Sequence, residues 1–269
     1  MEVPKSVHDL IATSGNTLHK KVTQLLKSHG WRVTVSPYYL DQVSEKAREI
    51  DLIAEKTWPY GDQHPESRGS IAIRLFIECK YIPNETVFWF AEKDSEAALR
   101  LVCSTGLFRK SAYWTGDHHY LSGSSRVAKL FESRGKKSGG GGGNQAPPES
   151  DPFYKALNQV LNGMIYLRES SVTRLRGPQS HEQVTHVLDF PVIACNSFAN
   201  FYAVNLDCDD DPAQLANRFL LEVQYAYRDR SGARRDDYYL VDVVDSRKIE
   251  DFLSALDTDA EIAIAEATD

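Results

Sequence analysis

The feature that most constrains the fold is the run SIAIRLFIECKYI at residues 70–82. Its large apolar side chains recur at every second position, at Ile71, Ile73, Leu75 and Ile77. A β-strand through this run places all four of them on one face. The turn-forming stretch PYGDQHPESRG at residues 59–69 precedes the run. Together these features predict a strand at the centre of a sheet.

Helical and β-like patterns alternate along the rest of the chain. Residues 17–29 carry apolar side chains at helical spacing, with Asn16 or Ser14 as the candidate N-cap and Gly30 as the stop. Further helices are predicted at 94–106, from Asp151 onward and at 246–256, and further strands at 31–37, 49–56, 186–197, 200–206, 215–229 and 236–245. The chain is therefore expected to be an α/β protein with a central mixed sheet flanked by α-helices.

Residues 133–150, SRGKKSGGGGGNQAPPES, contain too few apolar side chains to offset the entropy of ordering them, and they predict a flexible loop. The part before it, 1–132, contains the candidate catalytic motifs. The part after it, 151–269, is expected to complete the same α/β domain and to end in an acidic tail, after Leu256, that needs no ordered structure. Two domains divided at the glycine run are the alternative.

Composition limits the possible function classes. A net charge of −7 argues against a protein that coats nucleic acid through an overall positive field. A local basic patch remains a candidate, formed by Arg109, Lys110, Arg126, Lys129, Arg134, Lys136 and Lys137, with an ordinary solvated surface as the alternative. The four cysteines form no C-x-x-C pair, so neither a zinc knuckle nor a disulfide framework is indicated. No apolar run approaches the roughly 20 residues of a membrane span, so we expect a cytoplasmic protein without a membrane partner.

Three residues have an order that suits metal-assisted hydrolysis. Asp51 lies in the predicted strand at 49–56, and Glu78 and Lys80 lie in the next one. Glu78 and Lys80 are two residues apart and share a face, and Asp51 joins them if the two strands pair. Converging carboxylates are the oxygen ligands that Mg²⁺ or Mn²⁺ prefers. Lys80 would orient or help to deprotonate a water molecule and offset charge on a phosphoryl group.

This pattern resembles the PD-(D/E)XK nuclease superfamily, with its restriction-endonuclease-like core, in the form found in Mrr-like restriction enzymes and archaeal Holliday-junction resolvases. Asp51 matches the first acid, Glu78 the second and Lys80 the lysine. The resemblance covers roughly residues 14–82 and implies that the backbone carbonyl of Cys79 completes a metal site with Asp51 and Glu78. Ile50 stands where the family often has proline.

The upstream helix also resembles the family, which often begins with a glutamate followed by apolar residues and a glycine. Here His19 stands at the glutamate position, and Val22, Leu25, Leu26 and Gly30 match the positions that follow. His19 is therefore a fourth candidate catalytic residue, as a ligand of the cation or of its water, or as a donor to phosphate. A histidine that only packs on the helix flank is the alternative.

The resemblance implies a metal-dependent endonuclease that acts on DNA, with a role in restriction or phage defence, or else in repair or recombination. A homodimer or a partner protein is compatible with this interpretation. The alternative is a non-catalytic member of the same fold that binds nucleic acid or protein. The intact set of two acids and a lysine favours catalysis, and His19 favours the alternative.

Two further groups are weaker candidates. Asp117, His118 and His119 form a possible ligand cluster, but adjacent histidines face opposite ways in a strand, so a surface loop is the preferred interpretation. Aromatic residues at Tyr113, Trp114 and 225–227 are candidates for stacking on bases, with a place in the core as the more common alternative.

Overall fold

The computed structural model describes residues 4–8, 16–41, 46–61, 69–108, 113–134, 151–171, 184–229 and 231–268. Its helices are α1 (Asn16–Ser28), α2 (Ser95–Cys103), α3 (His119–Ser122), α4 (Pro152–Ser171) and α5 (Ile249–Thr268), with a 3₁₀ turn at Tyr113–Asp117. Its strands are β1 (Arg32–Val35), β2 (Tyr38–Asp41), β3 (Lys46–Glu49), β4 (Leu52–Tyr60), β5 (Gly69–Lys80), β6 (Thr86–Glu92), β7 (Arg126–Ser133), β8 (Val184–Cys195), β9 (Phe201–Asn205), β10 (Ala213–Gln214), β11 (Phe219–Arg228) and β12 (Arg234–Asp245).

Ten strands form one mixed sheet in the order β1-β4-β5-β8-β12-β11-β7-β6-β9-β10, and β2 and β3 form a separate hairpin. The β5 strand lies inside the sheet, antiparallel to β4 and parallel to β8. Strands from before and after the glycine-rich segment alternate in this order, so both parts of the chain build the same sheet. The α/β prediction with a central mixed sheet is confirmed.

Helices cover both faces of the sheet. One core contains Leu75, Ile77 and Cys79 of β5 and apolar side chains of α1, α2 and α5. The other contains Phe76 of β5 and the apolar stripe of α4. Because successive strand residues point to opposite faces, the two cores lie on opposite sides of the sheet. The burial of β5 on both faces explains its nearly continuous apolar sequence.

Two predicted helix caps and one predicted helix stop agree with the structure. The carboxylate of Asp94 accepts a hydrogen bond from the Ala97 N–H and caps α2. Asp151 does the same for the first N–H groups of α4, at Phe153 and Tyr154. Gly30 follows α1 with a φ of +82°, a conformation that glycine adopts without strain. The candidate cap Ser14 lies outside the described residues.

The prediction of an acidic tail without ordered structure is wrong, because α5 continues to Thr268. Leu253, Leu256, Ala260 and Ala263 recur at helical spacing and are all buried. The aspartate on the same side of this helix, Asp259, is fully buried against two histidines. The prediction relied on the acidic composition of this segment and therefore missed the apolar face of α5.

The β2–β3 hairpin, β6 and β7 were not predicted from the sequence. The strand predicted at 31–37 ends earlier, at Val35, because Ser36 turns the chain there with a φ of +53°. The predicted flexible loop lies outside the described residues except at its start, where Ser133 pairs with Thr86 as the end of β7. None of the described helices is both long and apolar enough to cross a membrane.

Candidate functional site

The pairing of β4 with β5 brings the two predicted acids together. The last register pair is Leu52 with Ile77, so Asp51, one residue before β4, lies opposite Glu78. The backbone N–H of Asp51 donates to Oε1 of Glu78 at 3.3 Å, and the N–H of Cys79 donates to Oδ2 of Asp51 at 2.7 Å. The two acids are therefore held by the backbone of each other's strand.

Lys80 joins the two carboxylates. Its Nζ lies 2.7 Å from Oε2 of Glu78 and 3.9 Å from Oδ2 of Asp51. Glu78 is fully buried, whereas the side chain of Lys80 is 21% exposed. Lys80 is therefore the more exposed member of this pair.

Helix α1 delivers His19. Val22 and Leu26 are buried in the core, and His19 precedes them by three and seven residues on the same helix face. Its Nε2 lies 3.2 Å from Oδ2 of Asp51. All four predicted catalytic residues, Asp51, Glu78, Lys80 and His19, therefore belong to one contiguous cluster.

Gln159 also contacts the cluster. It lies on α4, which packs on the opposite face of the sheet from α1. Its Oε1 accepts from Lys80 Nζ at 3.4 Å, and its Nε2 donates to the backbone carbonyl of Glu49 at 3.4 Å. Gln159 was not among the site residues predicted from the sequence. A polar residue at a core-facing position of an amphipathic helix was the available signal.

Burial and neighbouring charges set the protonation states. Burial raises the pKa of Glu78 to about 7, although Lys80 opposes this shift. Burial also acts to raise the pKa of Asp51, but the hydrogen bond with His19 and the charge of Lys80 outweigh it and lower that pKa. The hydrogen bond to Asp51 raises the pKa of His19. Burial acts to lower the pKa of Lys80, but Glu78 outweighs it and raises that pKa, so this lysine is cationic at neutral pH.

The donor set fits a divalent cation. Ligand atoms of His19, Asp51 and Cys79 lie within 4.8 Å of one another. The side chain of Cys79 lies in the core that contains α1, α2 and α5. Burial raises the pKa of its thiol well above the ordinary value, so the thiol stays protonated. Asp51 and Glu78 present adjacent carboxylate groups, the ligand type that a hard divalent cation prefers, and Lys80 supplies one positive charge beside them. The residues that fit are Asp51 and Glu78, with His19 as a further ligand.

A second cluster was misjudged from the sequence. His118 and His119 are buried, at 2% and 6% exposure, and do not lie in a surface loop. His118 Nε2 lies 3.6 Å from Oδ2 of Asp259, and His119 Nδ1 contacts the same oxygen. His119 Nε2 lies 3.3 Å from Asp242 of β12. Its partner Asp259 lies 140 residues away, so no local pattern revealed the cluster.

Hydrogen bonding in the second cluster does not fit a metal site. The Tyr120 N–H donates to Nδ1 of His118 at 3.1 Å, so the proton of a neutral His118 is on Nε2, which then has no lone pair for a metal. His119 has a carboxylate at each ring nitrogen, and these two acids outweigh burial and raise its pKa to about 9. Burial lowers the pKa of His118 to about 4. The cluster is a buried imidazolium held by two carboxylates.

The predicted basic stretch is neutralised wherever the structure describes it. Arg126 pairs with Asp207, Lys129 with Glu222 and Arg134 with Glu85. Arg109, Lys110, Lys136 and Lys137 lie outside the described residues. These three ion pairs leave no free positive surface on β7.

The aromatic candidates divide between surface and core. Tyr227 is buried and donates to Asp237, and the Tyr225 hydroxyl bonds to Asn158 and Asn162 of α4. Trp114 is 47% exposed, on the 3₁₀ turn beside α5. The side chains of Tyr225 and Tyr227 are therefore held by contacts within the protein.

The order of acid, acid and lysine across two paired strands is what the chain shares with the PD-(D/E)XK pattern. Its geometry is internally consistent, because each acid is bonded to the other's strand and both lie within 4 Å of Lys80. The likeness rests on these residues and on the sequence pattern of the upstream helix. No protein-family model matches the chain, and comparison with curated proteins and with solved structures gave no significant match.

Proposed function

We propose that the chain is a metal-dependent phosphodiesterase with a restriction-endonuclease-like core and DNA as its substrate. The observation that carries the proposal is the convergence of Asp51, Glu78 and Lys80 at one partly exposed point, with His19 beside Asp51. A buried carboxyl with a pKa of about 7 is costly for a fold, and such costs are typical of functional sites.

Asp51 and Glu78, with His19 and the backbone carbonyl of Cys79 as further candidates, would hold a Mg²⁺ or Mn²⁺ ion. A bound divalent cation polarises a phosphoryl oxygen and lowers the pKa of water. The residues of the chain do the rest. Lys80 is cationic and donates hydrogen bonds, so it suits the positioning of a water molecule and of a phosphoryl oxygen rather than the removal of a proton.

The reaction is the hydrolysis of a phosphodiester. The water oxygen forms a bond to phosphorus, the bond from phosphorus to one sugar oxygen breaks, and the departing oxygen takes up a proton. The water proton is released to solvent. When His19 is protonated, which the pKa shift caused by Asp51 favours, it would donate a hydrogen bond to the phosphate and not hold the cation.

A cleavage assay tests the proposal. The purified chain is incubated with plasmid, linear duplex, single-stranded DNA and RNA in Mg²⁺, Mn²⁺ or EDTA. We expect cleavage that needs the cation and that falls by at least about 100-fold in Lys80→Ala. Lys56→Ala is the matched control, because Lys56 has similar exposure and a carboxylate partner, Asp257, on the opposite face of the sheet. Equal loss in both variants, or cleavage that persists in EDTA, contradicts the proposal.

The second candidate is a non-catalytic member of the same fold that binds nucleic acid or protein. The observation in its favour is the direct 2.7 Å contact of Lys80 with Glu78, which already compensates that acid. Asp51→Ala separates the two candidates. Catalysis predicts lost cleavage with binding near that of the wild type, whereas lost binding together with lost fold points to a structural role for Asp51.

We also propose restriction or phage defence as the biological setting, on the basis of the sequence resemblance. Phage plating on cells that express the wild type or Lys80→Ala tests this. Equal plating efficiencies on both would instead favour repair or recombination.

A further inference from the structure

Most described cations without a partner lie on elements that contribute residues to the candidate site. Within the described residues, seven lysines and arginines have neither a carboxylate within 4.0 Å nor a side-chain hydrogen bond: Lys5, Lys20, Lys21, Lys27, Lys46, Lys155 and Arg234. Five of these lie on only three elements, α1, β3 and α4. Cations elsewhere are mostly paired, as Arg74 is with Asp189 and Arg100 with Glu96.

The same three elements surround the catalytic cluster. Helix α1 contributes His19 to it, directly before Lys20. Strand β3 ends at Glu49, whose carbonyl accepts from Gln159. Helix α4 contributes Gln159, one helical turn after Lys155. Five of the seven unpaired cations therefore lie on elements that contribute to or adjoin the cluster, although the whole chain has a net charge of −7.

Exposed tyrosines lie on or next to the same elements and β5. Tyr38 on β2 is 67% exposed, Tyr81 is 65% exposed and directly follows Lys80, and Tyr154 in the first turn of α4 is 36% exposed. Tyr38 belongs to the hairpin partner of β3, and Tyr154 is next to Lys155. We call these three tyrosines and the five lysines Lys20, Lys21, Lys27, Lys46 and Lys155 the lysine–tyrosine rim.

We propose that the lysine–tyrosine rim binds a single-stranded segment of nucleic acid and leads it to the site. Lysines without partners attract phosphates, and their charge carries no preference for base sequence. Exposed aromatic rings stack on bases, and the base faces within a duplex are already stacked on each other. Cations interleaved with aromatics therefore fit an unpaired strand better than a duplex. The choice of nucleic acid as the partner rests on the proposed function.

Binding in EDTA tests the rim without catalysis. Fluorescence anisotropy is measured with single-stranded DNA, single-stranded RNA and duplex DNA of equal length. We expect a single strand to bind at least about tenfold more tightly than the duplex, and each of Tyr38→Ala and Tyr81→Ala to weaken that binding about tenfold. Tyr→Phe at the same positions retains the ring and is expected to bind like the wild type. Trp114→Ala, an exposed aromatic away from the rim, is the control.

The salt dependence tests the lysines. Replacement of Lys20, Lys46 and Lys155 by glutamine is expected to reduce the slope of log affinity against log salt by about 2 for a single strand. Arg234→Gln, a free cation away from the rim, is expected to leave the slope unchanged in comparison. Duplex binding that equals or exceeds single-strand binding, tyrosine variants that bind like the wild type, or no binding to any of the three nucleic acids overturns the inference.

The outcome is independent of the cleavage assay. Binding of a single strand that depends on the tyrosines, without any metal-dependent cleavage, supports the rim and contradicts the proposed nuclease. Metal-dependent cleavage that is insensitive to the tyrosine variants supports the nuclease and contradicts the rim.

Discussion

Nε2 of His19 lies 3.2 Å from Oδ2 of Asp51, so a helix residue is coupled to the acid that precedes β4. The same oxygen accepts the N–H of Cys79 at 2.7 Å. His19 therefore helps to fix the orientation of a carboxylate that the strand pairing alone would hold from one side. This arrangement gives the histidine a positioning role even if it never contacts the substrate.

Replacement of His19 by alanine is expected to lower the rate of metal-dependent cleavage by up to about 100-fold, because Asp51 loses one of its two fixed partners. Gln24→Ala, an exposed position on the same helix, is the control. Single-turnover cleavage at saturating metal and thermal unfolding are measured for both. A rate unchanged by His19→Ala would leave this histidine as a packing residue only.

Replacement of Glu78 by glutamine is expected to stabilise the protein in EDTA at pH 8 while abolishing cleavage. Burial raises the pKa of Glu78 in the folded state to about 7, so this acid favours folding below its unfolded pKa of 4.5 and loses that contribution as the pH rises through about 7. A neutral isostere removes this loss, and we expect a gain of about 3 kcal/mol at pH 8 and almost none at pH 4. Urea unfolding at both pH values measures it. A destabilised variant at pH 8 would mean that the contact with Lys80 outweighs the burial.

Stability is expected to depend on pH through the buried histidines. His119, with a folded pKa of about 9, contributes stability that is complete below about pH 6.5 and is lost as the pH rises towards 9. His118, with a folded pKa of about 4, destabilises the fold as the pH falls from 6.5 towards 4. The groups that face them are Asp259 of α5, Asp242 of β12, with Arg218 beside it, and Tyr120.

The measurement is chemical unfolding of the wild type and His119→Gln at pH 5, 6.5 and 9. We expect the wild type to lose up to about 3 kcal/mol more than the variant between pH 6.5 and 9. Parallel curves for the two proteins in that range would contradict a charged His119.

Asp259→Asn is expected to destabilise the protein by about 3–5 kcal/mol, because it leaves a buried imidazolium with one carboxylate. Asp257→Asn, a half-exposed acid on the same helix, is the control, with an expected loss below about 1 kcal/mol. Equal effects of the two changes would mean that the histidine cluster contributes nothing specific.

Removal of metal is expected to leave the second cluster unaffected. In Asp51→Asn, which weakens the candidate catalytic site, EDTA should not shift the thermal unfolding midpoint, because the tautomer of His118 leaves no lone pair on Nε2. Addition of Zn²⁺ should not raise it either. A midpoint that rises with Zn²⁺ and is lost in His118→Ala would show that the cluster binds metal.

The sequence by itself determined the local structure and the candidate catalytic residues. The alternation in β5, the apolar stripe of α1 and the caps Asp94 and Asp151 are encoded within a few residues of where they act. Glu78 and Lys80 share a face for the same reason, since the strand repeats every two residues. Their proximity to Asp51 needed one further step, the pairing of neighbouring strands.

The tertiary structure alone decided the rest. Gln159 reaches Lys80 across 79 residues, and His119 meets Asp259 across 140, so neither contact has a local signature. The acidic C-terminal segment is a helix packed through its apolar face, and its buried Asp259 is tolerated there because two histidines from far along the chain are its partners, which composition cannot show. Burial also determines charge here: the pKa values of Glu78 and His119 depend on which groups enclose them, and only the packed fold brings those groups together.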